Sequence, residues 1–429
     1  MIFSFFSPFI LRVELIVRIK DVKILEVFTT LKYDGDFWEE RLIRPIDIYP
    51  EHDAEGPYAI AEGTILQLDK NAYKIRGIFV KIETDEGLSS VFGPIGAPEG
   101  SVEAFIILQR LRNILVGCDV LEREKIWDKM YKLMVHDRKG TGMIAVSAID
   151  CCLWDLFGKI TNMPVYRLIG GPTRDKLQAY ASMLGFSIKP ENVEKMSQEY
   201  YNAGFRYQKW FMRFGPQHGV KGFEENIKVV KVIRDTLGNE VEIMVDAWMS
   251  WNVDYAFKIM CALDKYDVLW VEEPLMPDNL EGYMRIKKLK DSAGLHVKLA
   301  GGEHEYTRWG FKTLIDNRIF DILQPDIAWV GGLTECLKIC AMASANDIQV
   351  IPHTDIMPTT LHLAFGVPIT VTPLAEYLVK WNIIKQAALK TKYEPKLGFF
   401  EPPKLPGIGL ELKEDSSVEK RELLFSIVK

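Results

Sequence analysis

The sequence lacks the features that mark several large classes of protein. Its six cysteines are scattered and show neither zinc-type spacing nor a disulfide framework, which favours a reducing cytoplasm. No segment is of low complexity or rich in one charge, so we expect an ordered globular chain. The formal net charge is −6 and the pI is about 5.8. That balance disfavours nucleic acid or an anionic membrane as a partner.

Long hydrophobic runs are also missing. The N-terminal stretch MIFSFFSPFILRVELIV comes nearest, but Arg12 and Glu14 interrupt it. It has neither a basic n-region nor a small-x-small cleavage site, and it is too broken for a membrane span. We interpret residues 1–11 as an N-terminal extension that leads into a first strand; the alternative is a signal peptide. The expected protein is soluble and cytoplasmic.

The first 150 or so residues predict an α+β domain. Three strand-like runs, VELIVRI, ILEVFTTL and IFVKIET, lie in its first half, and the last precedes a turn signal at Asp85-Glu86-Gly87. Residues 101–165 are mainly helical by periodicity. Within them GTGMIAVSAIDCCLWDLFGKI is apolar around most of its circumference, so we expect a buried helix there.

From about residue 175 the pattern changes to short β-rich runs that alternate with amphipathic helical stretches. Eight such units in roughly 250 residues predict parallel βα units closed into a (β/α)8-type barrel. We therefore assign residues 1–150 to an α+β domain and 151–385 to the barrel. Residues 386–429, rich in proline, are expected to return over the surface to the first domain. The eight runs are LQAYASML, FRYQKWF, VEIMVDAW, VLWVEEP, HVKLAGGE, FDILQPDI, IQVIPHT and ITVTPLAEYL.

A polar residue ends each of five successive strand candidates, at intervals of 26, 31, 23 and 27 residues. Each interval is about one βα unit, so in a barrel these residues lie side by side on the rim where active sites form. They are Asp246, Glu272, Glu303, Asp326 and His353.

The first three of these residues predict a metal site. Asp246, Glu272 and Glu303 would repel one another without a counter-ion, and an all-oxygen set favours Mg2+ (or Mn2+) over zinc. Asp326 and His353 come next around the rim. A carboxylate beside an imidazole orients the ring and raises its basicity, which suits a general base.

Several motifs together resemble the enolase superfamily, in its mandelate racemase subgroup, over roughly residues 140–380. The resemblance implies a barrel with a capping domain, Mg2+ at the three carboxylates, and His353 with Asp326 as a dyad that removes the proton α to a carboxylate. It also implies that Glu273 is a neighbour of the ligands and not itself a ligand. The motifs are AIDCCLWDLFGK, PVYRLIGG, VDAW, WVEEP, GGEHE, QPDIAWVGGLT and VIPH.

Within the subgroup, KWFMRFGP, DAWMSWN and GEHEY look most like L-rhamnonate dehydratases and related archaeal aldonate dehydratases. Many members carry a Lys-x-Lys pair at the second strand end, but here Phe211 replaces the second lysine and cannot take a proton. Racemisation needs a group on each face of the carbanion, whereas dehydration runs with His353 alone. His304 is a second candidate acid; the alternative is that it only hydrogen-bonds the groups that hold the metal.

The resemblance also implies contacts to an anionic sugar-acid substrate. Glu376 matches an acid that hydrogen-bonds the substrate carboxylate and would need to be protonated. Lys209 and Arg213 near the second strand end are candidate cations for the anion.

The first domain is expected to supply the lid, with Arg41, Arg44 and Tyr49 as candidate contacts. Trp248 and Trp329 are expected either to wall the pocket or to pack at the rim.

We therefore predict an Mg2+-dependent aldonate dehydratase that forms a 2-keto-3-deoxy acid from a pentonate such as arabinonate or from a rhamnonate-like acid. A racemase or epimerase with His304 as the opposing base is one alternative. A non-catalytic sugar-acid-binding homologue is another. Members of the family commonly assemble into symmetric oligomers, so we expect a homo-oligomer.

Overall fold

The structure is a computed structural model that describes residues 16–61, 63–96 and 99–425. The N-terminal extension and the first residues of the predicted strand VELIVRI lie outside these ranges. Among the helices that the structure describes, none is both long enough and apolar enough to cross a bilayer.

An antiparallel sheet forms the core of the N-terminal domain. Its strand order is β14-β1-β3-β2, and β4 pairs antiparallel with the last part of β3, residues 80–83. The predicted run ILEVFTTL lies within a single long strand, β1, and IFVKIET lies within β3. The strands are β1 (Ile19–Lys32), β2 (Ile65–Asp69), β3 (Ala72–Thr84), β4 (Ser89–Phe92) and β14 (Val418–Glu422).

The turn signal at Asp85-Glu86-Gly87 is confirmed as the connection between β3 and β4. The amide of Thr84 donates to the carbonyl of Leu88 at 2.9 Å. Gly87 has φ +78°, a left-handed conformation that glycine adopts without the steric cost of a Cβ.

In the part of the chain that the structure describes, fourteen α-helices follow or connect the strands. A π-helical segment, Ile107–Leu111, joins α2 to α3, and 3-10 turns lie at Pro45–Ile48, Pro57–Ile60 and Pro216–His218. Asparagines cap two barrel helices: Asn252 accepts from the Tyr255 amide, and Asn279 accepts from the Gly282 amide. The helices are α1 (Pro50–Asp53), α2 (Ser101–Ile106), α3 (Arg112–Leu115), α4 (Arg123–Leu133), α5 (Thr141–Thr161), α6 (Val165–Ile169), α7 (Pro190–Asn202), α8 (Gly219–Leu237), α9 (Val253–Asp264), α10 (Leu280–Ser292), α11 (Thr307–Asp316), α12 (Gly332–Ser344), α13 (Met357–Gly366) and α14 (Val379–Lys385).

Eight parallel strands form the second sheet, in the order β11-β10-β9-β8-β7-β6-β5-β12. Each falls within one of the eight runs predicted from the sequence, so the α/β barrel with a capping domain is confirmed. The strands are β5 (Leu177–Ser182), β6 (Tyr207–Phe211), β7 (Glu242–Asp246), β8 (Val268–Glu272), β9 (Lys298–Gly301), β10 (Ile322–Leu323), β11 (Gln349–Val350) and β12 (Leu374–Leu378).

The inward side chains of this sheet meet in one buried cluster. Because residues from both ends of the strand order belong to it, the sheet curves round a common axis. The amide of Val350 in β11 donates to Val371 O, just before β12, at 2.8 Å, which links the two ends of the strand order. The cluster contains Tyr180, Met244, Trp270, Ala300, Ile322, Ile351 and Leu374.

Helix α5 is buried, as its apolar circumference predicts, and it joins the two domains. Trp154 Nε1 donates to Thr334 Oγ1 at 2.9 Å on the barrel side. Lys159 Nζ donates to Ser89 O at 2.9 Å on the capping side. The domain boundary predicted at residue 150 therefore falls inside a continuous helix.

The C-terminal segment runs from the barrel to the capping sheet. Strand β13 (Phe399–Phe400) pairs antiparallel with β5, and β14 pairs antiparallel with β1.

An aromatic contact holds the segment between β1 and β2 over the barrel rim. Residues 33–61 of this connection are called the capping segment. The rings of Trp38 and Trp381, on the capping segment and α14, have centroids 5.2 Å apart. Gly185 has φ +94°, and a Cβ there would lie 2.0 Å from the Trp38 ring. Only glycine lets the chain after β5 pass this closely under the capping domain.

Candidate active site

The ends of neighbouring barrel strands bring the predicted carboxylates together. Asp246 and Glu272 are register partners at the ends of β7 and β8. Glu303 follows β9 by two residues. The residues directly before each acid are apolar or glycine, so each charged side chain follows the part of its strand that is packed in the core.

Lys209 on β6 lies among these acids and is almost fully buried. Its Nζ is 2.6 Å from Glu272 Oε1, 2.9 Å from Glu376 Oε1 and 3.5 Å from Asp246 Oδ2. Burial lowers the pKa of Lys209, but Glu272 and Glu376 outweigh it and hold the pKa well above its ordinary value. Lys209 is therefore an internal cation of the site.

Lys209 does not offset all of the negative charge of the carboxylates. Burial, and then the charge of Glu272, raises the pKa of Asp246 well above its ordinary value. Burial raises the pKa of Glu303 to about 7, although His353 and His304 oppose it. Carboxylate oxygens crowded at neighbouring strand ends are the donor set that a hard divalent cation stabilises, so Asp246, Glu272 and Glu303 fit Mg2+.

A second, compact group of donors shares Glu303 with that set. One ligand atom from each of Glu273, Glu303 and His304 lies within 4.8 Å of the others. The oxygens of Glu273 are already engaged: Oε1 accepts from the Gly302 amide at 2.9 Å, and Oε2 lies 2.7 Å from His304 Nδ1. Because Mg2+ prefers oxygen ligands, the all-carboxylate set fits it better than this mixed group.

His304 is held by Glu273. Burial lowers the pKa of His304, but Glu273 and Glu303 outweigh it and raise the pKa to about 9. The sequence did not predict the pairing with Glu273, and its only signal was the carboxylate directly after Glu272.

The predicted dyad is present in the geometry. His353 Nδ1 lies 2.7 Å from Asp326 Oδ2, and His353 Nε2 lies 3.6 Å from Glu303 Oε2. Asp326 is fixed in turn, since it accepts from the amides of Ala328 and Asp355. Burial lowers the pKa of His353, but Glu303 and Asp326 hold it well above its ordinary value.

A cavity of about 190 Å³ opens at this rim. Its polar lining combines two ammonium groups with carboxylates and an imidazole, and its apolar lining comes from leucines and tryptophans. Trp248 and Trp329 are both in the wall, and Trp248 Nε1 donates to Glu303 Oε1 at 3.2 Å. The polar lining residues are Ser182, Lys209, Asp246, Glu303, His353, Asp355 and Lys385.

Glu376 differs from the expectation of a protonated carboxyl. It is fully buried, and its Oε2 accepts from the Thr354 amide at 3.2 Å. Burial raises the pKa of Glu376, but Lys209 and His353 outweigh it, so the pKa lies below its ordinary value. The expectation of a neutral acid counted the burial of Glu376 but not the ammonium of Lys209 beside it.

Arg44 and Arg213, predicted to contact substrate, are engaged by acids of the capping segment. Arg44 Nη2 is 2.9 Å from both Asp47 Oδ1 and Glu55 Oε2. Arg213 Nη1 donates to Asp53 Oδ1 at 2.8 Å. Within the described ranges, neither arginine is among the residues that line the cavity.

The other capping-segment candidates also lie elsewhere. Arg41 is fully buried and ion-paired with Asp47, while Tyr49 is 54% exposed. The capping residues that do line the cavity are Leu42 and Gly96. Neither carries a charge or a hydroxyl, so a search for polar contacts could not find them.

Two known protein families match this chain, one over most of the barrel and one over much of the capping domain. Residues 192–416 match the family described as enolase C-terminal domain-like. Residues 50–170 match the mandelate racemase / muconate lactonizing enzyme N-terminal domain. The chain belongs to the enolase superfamily.

Named relatives narrow the class. The chain is 31% identical over 396 residues to L-rhamnonate dehydratase of Saccharopolyspora erythraea, covering 90% of this chain and 93% of the relative. It is 29% identical to L-rhamnonate dehydratase from Gibberella zeae, with TM-score 0.77, covering 94% of this chain and 95% of that one. A structure of that rhamnonate dehydratase complexed with Mg has TM-score 0.78 at the same identity and coverage. This protein is thus an enzyme of the hydro-lyase class within the superfamily.

Proposed function

We propose that the protein is an Mg2+-dependent sugar-acid dehydratase in which His353 removes the C2 proton and the C3 hydroxyl leaves as water. The observation that carries this proposal is the orientation of His353. Its Nδ1 is held by Asp326, so Nε2 is the ring nitrogen directed toward Glu303 and the cavity.

Asp246, Glu272 and Glu303 are the residues that would hold the metal. When bound, Mg2+ supplies positive charge for the substrate carboxylate as the α-proton leaves. Lys209 remains close to Glu272 and Asp246 and contributes a fixed positive charge on the same side.

The proton steps follow from the dyad. In its neutral form His353 takes the C2 proton at Nε2, and the electron pair of the C2–H bond forms the C2–C3 double bond. The C3–O bond breaks, the imidazolium gives its proton to the departing hydroxyl, and water leaves. The enol that remains becomes the 2-keto-3-deoxy acid. Asp326 keeps its charge throughout and stabilises the imidazolium.

The position of Phe211 supports dehydration over racemisation. It is in register with Asp246 at the end of β6, two residues after Lys209, where a second lysine would face the site. A phenyl ring cannot deliver a proton to the opposite face of C2. His304, the other candidate for that face, is already bound to Glu273.

The lining supports a rhamnonate-like acid over a pentonate such as arabinonate. Rhamnonate ends in a methyl group, and its longer chain extends toward the capping domain. Apart from Lys385 and Asp355, the cavity wall on that side is apolar, so it would bury a terminal methyl at a gain of about 0.8 kcal/mol per carbon. The residues of this wall are Leu42, Leu184, Leu378 and Trp381.

The test is a complete panel of pentonates and hexonates with Mg2+, read by semicarbazone absorbance of the keto acid, with EDTA as a control. An Mg2+-dependent signal that is greatest for rhamnonate-like acids is expected. Greater turnover of arabinonate would move the substrate to the pentonates. Deuterium incorporation at C2 of recovered acid, without any keto acid, would replace dehydration by epimerisation.

The catalytic assignment has its own matched pair of variants. His353→Asn should abolish keto-acid formation, whereas His136→Asn, at an exposed histidine, should leave it unchanged. Equal turnover by His353→Asn and the parent would remove His353 as the base.

A further inference from the structure

One ion pair in the cavity wall takes no part in the chemistry proposed above. Lys385, at the end of α14, and Asp355, two residues after His353, both line the cavity. Their Nζ and Oδ1 atoms lie 2.6 Å apart, and the two side chains are only 10% and 8% exposed. A buried ion pair costs desolvation, so its place in a binding cavity calls for a functional reason.

The pair has unused hydrogen-bonding capacity. Asp355 Oδ2 is buried and has no hydrogen-bond partner within the described ranges. Within the described ranges, Asp355 is the one carboxylate that forms an ion pair with Lys385. An ammonium has three N–H groups, so Lys385 can donate further hydrogen bonds. The backbone of Asp355 is fixed because its amide donates to Asp326 Oδ2 at 2.8 Å. A donor and an acceptor on a fixed backbone therefore lie side by side.

The pair lies in the half of the cavity that the capping domain covers. Helix α14 meets the capping domain there, since Ile384 belongs to the same buried cluster as Trp38. Leu42 and Trp381 line the cavity with the pair. One polar pair in an otherwise apolar wall fixes which substrate group fits there.

We propose that Lys385 and Asp355 together bind a neutral hydroxyl of the sugar acid, on carbons away from the reacting ones, and exclude a second carboxylate from that position. The inference deepens the proposed function and rests on it. Lys385 donates to the hydroxyl oxygen, and the hydroxyl proton is donated to Asp355 Oδ2. A carboxylate carries no proton for Asp355 and is repelled by it, so the site selects aldonates over aldarates, the corresponding dicarboxylates.

The test compares kcat and KM for an aldonate and the aldarate of the same carbon skeleton, with Mg2+ saturating. The parent should prefer the aldonate. Lys385→Met should raise the aldonate KM about 10- to 100-fold with little change in kcat, because the lost bond to a charged donor binds ground and transition states alike. Asp355→Asn, which leaves a net positive charge, should shift the aldarate-to-aldonate ratio of kcat/KM upward about 10-fold or more. Lys390→Met, at a lysine 68% exposed, is the matched control.

The outcomes separate this inference from the proposed function. Aldonate turnover with an unchanged acid preference in both variants would overturn the inference alone. If no acid is turned over, the proposed function fails, and dissociation constants of both acids from the Mg2+-loaded protein, measured by calorimetry, decide on Lys385 and Asp355. Binding with the same two shifts supports the inference; binding without them, or no binding of either acid, overturns it. A variant that fails to fold is replaced by Lys385→Gln or Asp355→Ser.

Discussion

The Nδ1 atom of His353 lies 2.7 Å from Oδ2 of Asp326, and that oxygen also accepts the amide of Asp355 at 2.8 Å. One carboxylate thus sets the orientation of the imidazole and the path of the loop that carries it. His353, Asp326 and the wall residue Asp355 form a single hydrogen-bonded unit.

Asp326→Asn should lower kcat about 10²- to 10⁴-fold without loss of metal binding. The amide can offer the wrong group to Nδ1, and the imidazolium loses the charge that stabilises it. Steady-state kinetics give kcat, and the Mg2+-dependent gain in the free energy of unfolding reports metal binding. Unchanged kcat would show that Asp326 only shapes the loop.

Mg2+ should stabilise the fold through the three carboxylates. At a hundred times its Kd, a ligand specific for the folded state adds about 2.7 kcal/mol to the free energy of unfolding. Asp246→Asn should remove most of this gain, which urea unfolding with and without Mg2+ measures. Asp235→Asn, at an acid 60% exposed on α8, should keep the full gain. A full gain in Asp246→Asn would point instead to the group of Glu273, Glu303 and His304.

Lys209 is expected to be structural when no metal is bound. Lys209→Met leaves three buried carboxylates without their cation, and loss of one partner from a buried charge network costs about 3–5 kcal/mol. Urea unfolding in EDTA should show this loss, and saturating Mg2+ should reduce it because the ion replaces part of the missing charge. The exposed Lys228→Met serves as control. A loss that is equal with and without Mg2+ would contradict the shared electrostatic role.

The barrel and the order of groups around its rim could be predicted because each charged residue ends an apolar run, and the runs recur at the length of a βα unit. The pairing of Lys385 with Asp355 could not. It depends on how α14 packs under the capping domain.

The structure places the two candidate arginines outside the cavity lining for a different reason. Arg44, in the expected lid, and Arg213, near the second strand end, suggested cations for an anionic substrate. Asp47, three residues after Arg44, was a visible local partner. The bond from Arg213 to Asp53 spans 160 residues, and only the docking of the two domains creates it.

That long-range bond gives a separate prediction about the capping segment. Arg213 and Asp53 should act as a unit, since Arg213 Nη2 also donates to Asp53 O at 3.0 Å. Asp53→Asn and Arg213→Gln should each increase protease cleavage near Pro50–Asp53. Unfolding free energies of the double variant should be non-additive by about 0.5–3 kcal/mol. A rise in KM in Arg213→Gln that is absent from Asp53→Asn would show instead that Arg213 contacts the substrate.

His362 should make the fold sensitive to acid. Its Nδ1 accepts the Tyr166 amide at 3.1 Å, and its Nε2 lies 3.2 Å from Ile408 O, so both nitrogens are satisfied only in the neutral ring. Burial lowers the pKa of His362 to about 4. Between the unfolded value of about 6.5 and this folded value, the unfolded chain binds a proton that the folded chain does not.

The stabilisation from neutral His362 is therefore complete above about pH 6.5 and is lost as the pH falls toward 4, a change on the order of 3 kcal/mol. His362→Gln does not titrate, so its free energy of unfolding should fall less than the parent's between pH 7.5 and 4.5. Urea unfolding at a series of pH values measures the difference, with the exposed His136→Gln as control. Parallel curves for parent and His362→Gln would mean that other groups carry the acid sensitivity.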